Sequence, residues 1–281
     1  MSAIGYYNGE IGPIDSMRVP MNDRAVYFGD GCYEACYAVN GKPFRGEAHI
    51  DRFYSSLKGL RISFPMPKEQ LRYEIERCLA AAGEKSVSLY WQVSRGTDRR
   101  HHTFPEAGVQ PNLLITASPK APDLEGAPMR LITAPDIRYR MCDIKTLNLI
   151  PNILAIQSAK DAGADEAVLH RDGTVTEGSH TNVSILNGGV LYTHPLDRLI
   201  LPGVTREVLF EICAGLGIPV RETAFSAEQM RDADEILITS SLLGIHRADK
   251  LNGAPVGGRA DALYCAITEA YRSVFTEETG A

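Results

Sequence analysis

With 281 residues, 44% of them hydrophobic and 23% charged, the chain is long enough to bury a large core and has neither a disordered nor a fibrous composition. Its formal charge of −6, from 29 basic and 35 acidic residues mixed along the chain, leaves no basic run for nucleic-acid phosphates. The opening MSAIGYYNGEIG lacks the charged and apolar regions of a secretory leader, and no stretch approaches the roughly 20 apolar residues of a membrane span, so a cytoplasmic protein with no membrane or nucleic-acid partner is expected.

In chain order, Tyr6–Tyr7 before Asn8-Gly9 and Tyr33–Val39 before Asn40-Gly41 are strand-like runs closed by Asn-Gly hairpin turns, which start an antiparallel sheet. From Glu47, the spacing of Ile50, Phe53, Tyr54, Leu57 and Leu60 predicts a helix, and a second helical pattern covers Lys68–Ala82. Ser86–Ser94 and Asn112–Ala117 follow as strands. A small α/β domain over residues 1–118 is expected, then an extended linker over 119–128, whose SPKAPDLEGAP stretch is broken by prolines.

Beyond it, the pattern gives a strand at Met129–Ala134, a helix around Asn152–Ala162, and a hairpin turning at Asp172-Gly173 and continuing through Leu186. A helix at Val204–Leu216, strands at Pro219–Glu222 and Glu235–Thr239, and a final helix from about Arg259 to Phe275 complete a larger domain over 129–281. Strands and helices alternate without a strict βαβ period, so the fold class is mixed α/β (α+β) in two domains.

No G-x-G-x-x-G or G-x-x-x-x-G-K-[ST] run is present, which removes support for dinucleotide and P-loop sites. Six cysteines, Cys32, Cys36, Cys78, Cys142, Cys213 and Cys265, show no C-x-x-C or zinc spacing and read as reduced and mostly buried, with no metal site. Lys145 is one of eight lysines and on its own reads as a surface side chain, yet Cys142, Ile144, Leu147, Leu149 and Ile150 surround it with apolar groups of the kind that favour a nucleophilic amine. Pro202-Gly203-Val204-Thr205-Arg206 precedes a helix whose free N–H groups suit a phosphate, and equally suit an ordinary helix start. Glu177 in TVTEGSHTNV reads alone as part of a polar turn, Arg52 as an exposed helix arginine, and Arg99-Arg100-His101-His102 as a carboxylate-binding cluster or a solvated loop.

Seven separated segments, in order, join these residues: DRAVYFGDGCYEA (Asp23–Ala35), EAHIDRFYSSLKGLRI (Glu47–Ile62), RGTDRRHHTFPE (Arg95–Glu106), CDIKTLNLIPNILA (Cys142–Ala155), TVTEGSHTNV (Thr174–Val183), LYTHP (Leu191–Pro195) and LPGVTRE (Leu201–Glu207). Over nearly its whole length the chain resembles the bacterial D-amino acid aminotransferases of the fold-type-IV pyridoxal-5′-phosphate (PLP) family. The resemblance implies a small α/β domain followed by a larger β-barrel-like PLP-binding domain. It implies that Lys145 forms the internal Schiff base, that Arg52 grips the phosphate, and that the Val204 and Thr205 amides with Ser240 and Ser241 complete the phosphate cup. Glu177 is implied to pair with the pyridine nitrogen, Leu201 to press on the ring, and Arg138 or Tyr139 to lie near the phenolate oxygen. Tyr33, Arg100 and His102 are implied to catch the substrate carboxylate, the last two reaching in from the neighbouring subunit of a homodimer.

One segment departs from that family. Its members usually continue after the Ser240 contact with small hydroxyl and acidic residues, whereas SSLLGIHRADK (Ser240–Lys250) brings Leu242, Leu243, His246 and Arg247 into what is expected to be a loop bordering the side-chain pocket. The SLLGI run is similar to the corresponding loop of aminodeoxychorismate lyases, which share the fold and the lysine. The Arg-x-His trap weighs toward the D-amino acid enzymes. Branched-chain L-aminotransferases and (R)-amine transaminases share the scaffold with differently placed selectivity residues.

Overall fold

The structure of the protein is a computed structural model that describes residues 3–281. The chain divides into two compact units. The first runs up to Pro122 and takes in Ile144–Asn148 and Phe275–Ala281; the second comprises Asp123–Asp143 and Leu149–Val274.

The first unit contains β1 (Ile4–Tyr7), β2 (Glu10–Pro13), α1 (Arg24–Phe28), β3 (Gly31–Val39), β4 (Lys42–Pro43), α2 (Gly46–Gly59), α3 (Lys68–Ala82), β5 (Ser86–Ser94) and β6 (Asn112–Pro119). Its six strands form one antiparallel sheet in the order β2-β1-β6-β5-β3-β4. Both Asn-Gly turns form, with Asn8 and Asn40 at φ 47° and 51°, conformations that asparagine tolerates and that match the twist of a two-residue hairpin. One sheet face carries Cys32, Cys36, Leu89, Trp91, Val93 and Ile115, and against it α2 buries Ile50, Phe53 and Leu57 while α3 buries Leu71, Ile75 and Cys78. Phe53 meets Trp91 edge to face, with ring centroids 6.1 Å apart at 69°.

The short segment carrying Lys145 belongs to this first unit, not to the C-terminal domain in which the sequence boundaries placed it. Its backbone hydrogen bonds go to β3: Tyr33 N donates to Lys145 O at 2.9 Å, Leu147 N to Gly31 O at 3.0 Å, and Thr146 bridges Cys32. The end of the chain joins the same unit through Phe275, whose ring lies 4.7 Å from that of Phe44.

The second unit contains β7 (Met129–Pro135), α4 (Ile150–Asp161), β8 (Glu166–Arg171), β9 (Thr174–Gly178), β10 (Asn182–Asn187), β11 (Val190–Thr193), α5 (Val204–Gly215), β12 (Val220–Glu222), α6 (Ala227–Arg231), β13 (Glu235–Ser240), β14 (Gly244–Leu251), β15 (Ala254–Pro255) and the part of α7 (Asp261–Thr279) up to Val274. Eight strands run in the order β12-β11-β10-β13-β14-β7-β8-β9, with β15 beside β14, as a curled half-barrel. The pairs β11–β12, β14–β7 and β7–β8 are parallel. Register shifts at Ala248/Lys250 and Val168/His170 are where the sheet bends.

Strand β14 is the main element that the sequence pattern did not show. Of the Ser240–Lys250 stretch expected as a loop, only Ser241–Leu243 forms a turn, and Gly244–Leu251 pairs with both β13 and β7. His246 is buried opposite Ile238, while Arg247 donates to Asp261 at 2.6 Å and lies 4.7 Å from the Tyr264 ring. These two departures from the family are therefore sheet residues, and Arg247 has an ion-pair partner in Asp261.

Gly31 marks the tightest approach around the lysine segment. A Cβ there would run into the Val93 carbonyl oxygen and come within 2.8 Å of Leu147 Cδ1. Gly31→Val is expected to lower unfolding stability by about 1–3 kcal/mol, the range for overpacking a close contact, measured by urea denaturation; unchanged stability would contradict this packing.

Candidate active site

In the first unit Lys145 is half-buried, with its Nζ 4.4 Å from the centroid of the Tyr33 ring. Tyr33 in turn stacks on Tyr90 at 5.4 Å and 26°. The main chain of Lys145 is held on both sides, its carbonyl accepting from Tyr33 N and its N–H donating to Ser56 Oγ at 3.3 Å. The amine itself has no hydrogen-bond or ion-pair partner among the described residues. Of the apolar residues flanking it in sequence, Ile144 is buried whereas Ile150 is exposed.

Arg52 projects from α2 onto Glu34 of β3, donating Nε to Oε1 at 2.7 Å and Nη2 to Oε2 at 2.8 Å. His49, one helical turn earlier, places Nδ1 2.7 Å from the same carboxylate. Glu34 and His49 are both fully buried. Burial alone would raise the Glu34 pKa, but the Arg52 charge and hydrogen bonds from Arg52 and His49 pull it down to about 2. Burial also pushes the His49 pKa down, opposed by Glu34. Sequence reasoning passed over Glu34 and His49. The available signal was a carboxylate at an inward-facing strand position between Cys32 and Cys36, which cannot stay ionised in a core without a cation.

Arg100 and His102 lie exposed on the loop between β5 and β6, both against Phe28: the Arg100 guanidinium is 5.3 Å from that ring and the His102 ring 5.5 Å. Neither hydrogen-bonds or ion-pairs with Lys145 or Tyr33 of the same chain, and Arg100 has no carboxylate partner among the described residues. The loop beneath them is pinned. Asp30 accepts from Arg24 at 2.8 Å and from Arg95 at 2.9 Å, Arg24 donates to the His101 carbonyl at 2.9 Å, and Arg95 stacks 3.8 Å from the Phe104 ring.

In the second unit Glu177 is buried at the end of β9 and accepts from three donors. These are the Arg138 guanidinium, the Asn182 amide at 3.0 Å and the Leu201 backbone N–H at 2.9 Å. Arg138 is shared with Asp136, at 2.9 Å, and with the Leu199 carbonyl at 3.1 Å. Burial would raise the Asp136 pKa, but hydrogen bonds and charge from Arg138, with Arg171, bring it down to about 2. Arg138 thus sits on the carboxylate implied to meet the ring nitrogen, and Tyr139 is exposed.

Next in the chain, α5 starts at Gly203 with no side-chain cap, so the Val204 and Thr205 N–H groups lack intrahelical acceptors. A Cβ on Gly203 would strike the Asn182 amide, so glycine is what lets the helix start close to the Glu177 cluster. Ser240 ends β13 and Ser241 opens the turn after it; Thr239 of β13 pairs with Asn182, and its buried hydroxyl has no partner among the described residues. Uncapped helix N–H groups beside hydroxyls form a donor set suited to a phosphate dianion. Among the described residues, no cluster of His, Cys, Asp or Glu is arranged to hold a metal ion, and no helix is long and apolar enough to cross a membrane.

The sequence pattern of the amino-transferase class IV family matches residues 31–251, and the chain belongs to that family of PLP-dependent aminotransferases. It is 39% identical over 266 residues, 92% of this chain and 90% of the other, to a D-alanine aminotransferase of Listeria monocytogenes serotype 4b. It superposes with a TM-score of 0.89 and 25% identity on a branched-chain aminotransferase of Thermoproteus uzoniensis solved with norvaline, covering 98% of this chain and 95% of that one. A branched-chain amino acid aminotransferase of T.th., complexed with N-(5′-phosphopyridoxyl)-L-glutamate, aligns with a TM-score of 0.85 and 25% identity, covering 100% of this chain and 95% of that one.

The depressed carboxylates give a pH test. A group whose folded pKa lies below its unfolded value stabilises the fold at higher pH and loses that contribution as pH falls through the folded value. Glu34, moved from 4.5 to about 2, should therefore contribute stability that is complete above pH 4.5 and disappears toward pH 2. Glu34→Gln should be less stable at neutral pH and show a flatter loss through that window, read by denaturation at stepped pH. Parallel acid profiles for the two proteins would refute the ionised assignment.

Proposed function

We propose that the chain is a D-amino acid transaminase, moving the amino group of a substrate such as D-alanine to a 2-oxo acid such as 2-oxoglutarate in a ping-pong cycle. The observation that carries this reading is Arg100 with His102, a guanidinium and an imidazole each against Phe28 on a pinned loop, neither with a carboxylate partner among the described residues. An arginine takes a carboxylate in a two-pronged ion pair, and a rigid mount fixes which way the α-hydrogen points. The 39% identity to a D-alanine aminotransferase supports the same reading.

PLP, when bound, supplies an electron sink for the charge left at the substrate α-carbon. The Lys145 amine would hold the cofactor and take the α-proton at Nζ; it has no ion-pair partner among the described residues and packs on Tyr33, so no ion pair would have to break first. Glu177, whose carboxylate accepts from Arg138, Asn182 and Leu201, would pair with the ring nitrogen, and Leu201 would pack on the ring. Arg52 of the first unit, oriented by Glu34, would offer its guanidinium to the phosphate, and in the second unit the Val204 and Thr205 N–H groups, Ser240 and Ser241 would offer donors to a phosphate. Tyr33 lines the substrate carboxylate subsite. Arg100 and His102 act in the active site of a second subunit, and the exposed apolar surface of Ile150, Ile153 and Leu154 on α4 supports a homodimer.

Turnover of D-alanine with 2-oxoglutarate should yield both pyruvate and glutamate, vanish in Lys145→Ala, and exceed turnover of L-alanine and L-leucine. Arg100→Ala should raise KM for D-alanine about ten- to a hundredfold, the loss of one charge-assisted pair. Preference for L-leucine would overturn the D-specific reading in favour of a branched-chain enzyme. Pyruvate from aminodeoxychorismate without glutamate, and no D-alanine turnover, would make the chain a lyase.

A further inference from the structure

The loop that carries Arg100 and His102 has no helix or strand of its own between Ser94, the end of β5, and Asn112, the start of β6. Side-chain contacts therefore set where those two residues stand. On the near side of His102, Arg24 Nη1 donates to the His101 carbonyl at 2.9 Å, His101 Nε2 lies 3.1 Å from Asp98 Oδ2, and Asp98 N donates to Asn22 O at 3.1 Å. The Arg99–Glu106 pair, at 3.4 Å, spans the far side, but it is exposed at both ends and lies wholly within the loop, so it fastens nothing to the rest of the unit.

The far side is fastened by Phe104, just past His102. Arg95 Cζ stands 3.8 Å and Arg61 Cζ 5.1 Å from the centroid of its ring. Arg95 cannot follow the ring: it is buried, its Nε donates to Asp30 at 2.9 Å, and its Nη1 and Nη2 donate to the Arg61 and Leu60 carbonyls at 3.0 and 2.8 Å. Those donors all lie in the guanidinium plane, which leaves its face open. An aromatic ring is attracted to that face, more strongly where the cation is shielded from water. The same arginine thus ties the chain just after α2, through two carbonyls, to a ring in the β5–β6 loop.

We propose that Phe104 is a positioning residue for substrate capture: its ring, held against Arg95 and Arg61, fixes the far side of the loop so that Arg100 and His102 meet the substrate carboxylate in one arrangement. This rests on the role given above to Arg100 and His102. Phe104 is 47% exposed, so its replacement opens no cavity in the core.

The test compares Phe104→Ala, Phe104→Leu and Phe104→Tyr with Arg100→Ala in the holoenzyme, by steady-state turnover of D-alanine with 2-oxoglutarate and by hydrogen exchange of the loop amides. Phe104→Ala should raise KM for D-alanine about three- to tenfold, the weight of one partly shielded cation–ring contact. Its kcat should stay within about twofold, because a contact that serves binding alone leaves kcat in place. The amides of residues 98–103 should exchange faster, while those of α2 and β5 keep their protection. Phe104→Tyr, which keeps the ring, should match the parent, and Phe104→Leu, which keeps bulk without the ring, should behave as Phe104→Ala does. Unchanged KM or unchanged loop exchange in Phe104→Ala, or full function in Phe104→Leu, overturns the inference and leaves the transaminase reading in place. Unaltered KM in Arg100→Ala would instead remove the carboxylate role of the loop, and this inference with it.

Discussion

Glu34 is a carboxylate in a place where the strand pattern calls for an apolar side chain. It lies under α2, fully buried, and an unpaired charge there would cost several kcal/mol or force the group to protonate. Arg52 meets both oxygens and His49 takes the remaining acceptor position, so the helix that covers the sheet also delivers the counter-charge. The consequence runs both ways. The carboxylate is tolerable only with α2 docked, and Arg52 is held at one orientation only because the carboxylate is there. A guanidinium fixed in this way loses little freedom when it meets a phosphate.

The second unit solves the same problem with different groups. The Asp136 and Glu177 side chains are both buried, Arg138 lies between them, and the Asn182 amide and Leu201 N–H take up the other Glu177 oxygen. Asn182 also donates to the Leu201 carbonyl, which ties β10 to the chain entering α5. The glycine that opens α5 is then a packing requirement of Asn182 as much as a helix start. Electrostatic satisfaction of one carboxylate thus fixes the start of the helix whose N–H groups remain open.

Much of this was legible in the sequence where local periodicity is the signal. The two Asn-Gly hairpins and the helix over Lys68–Ala82 depend on turn chemistry and apolar spacing within a few residues, and both formed where the pattern put them. Strand β14 did not announce itself because His246, Arg247, Asp249 and Lys250 hide its alternation; its place is set by pairing with β13 and with the distant β7. The unit to which Lys145 belongs was equally invisible. Its neighbours in sequence lie in the second unit, and only its hydrogen bonds to β3 assign it to the first. Lys145, Arg52 and Glu177 came from the resemblance to a family, whereas Glu34, His49 and Asn182 needed the side-chain contacts of the folded chain.

The loop that carries Arg100 and His102 joins these two levels. Its sequence reads as a run of charge, and nothing in the run itself separates a residue that holds the loop from one that the loop presents. Burial makes the separation: Arg24 and Arg95 are buried and spend their donors on Asp30 and on backbone carbonyls, while Arg100 is exposed and spends none on a carboxylate. Arginines that look alike in the sequence thus divide into those that set the position of the loop and one that has no carboxylate partner among the described residues. Where that exposed charge sits therefore depends on Asp30, Arg24 and Arg95, which hold the loop from below.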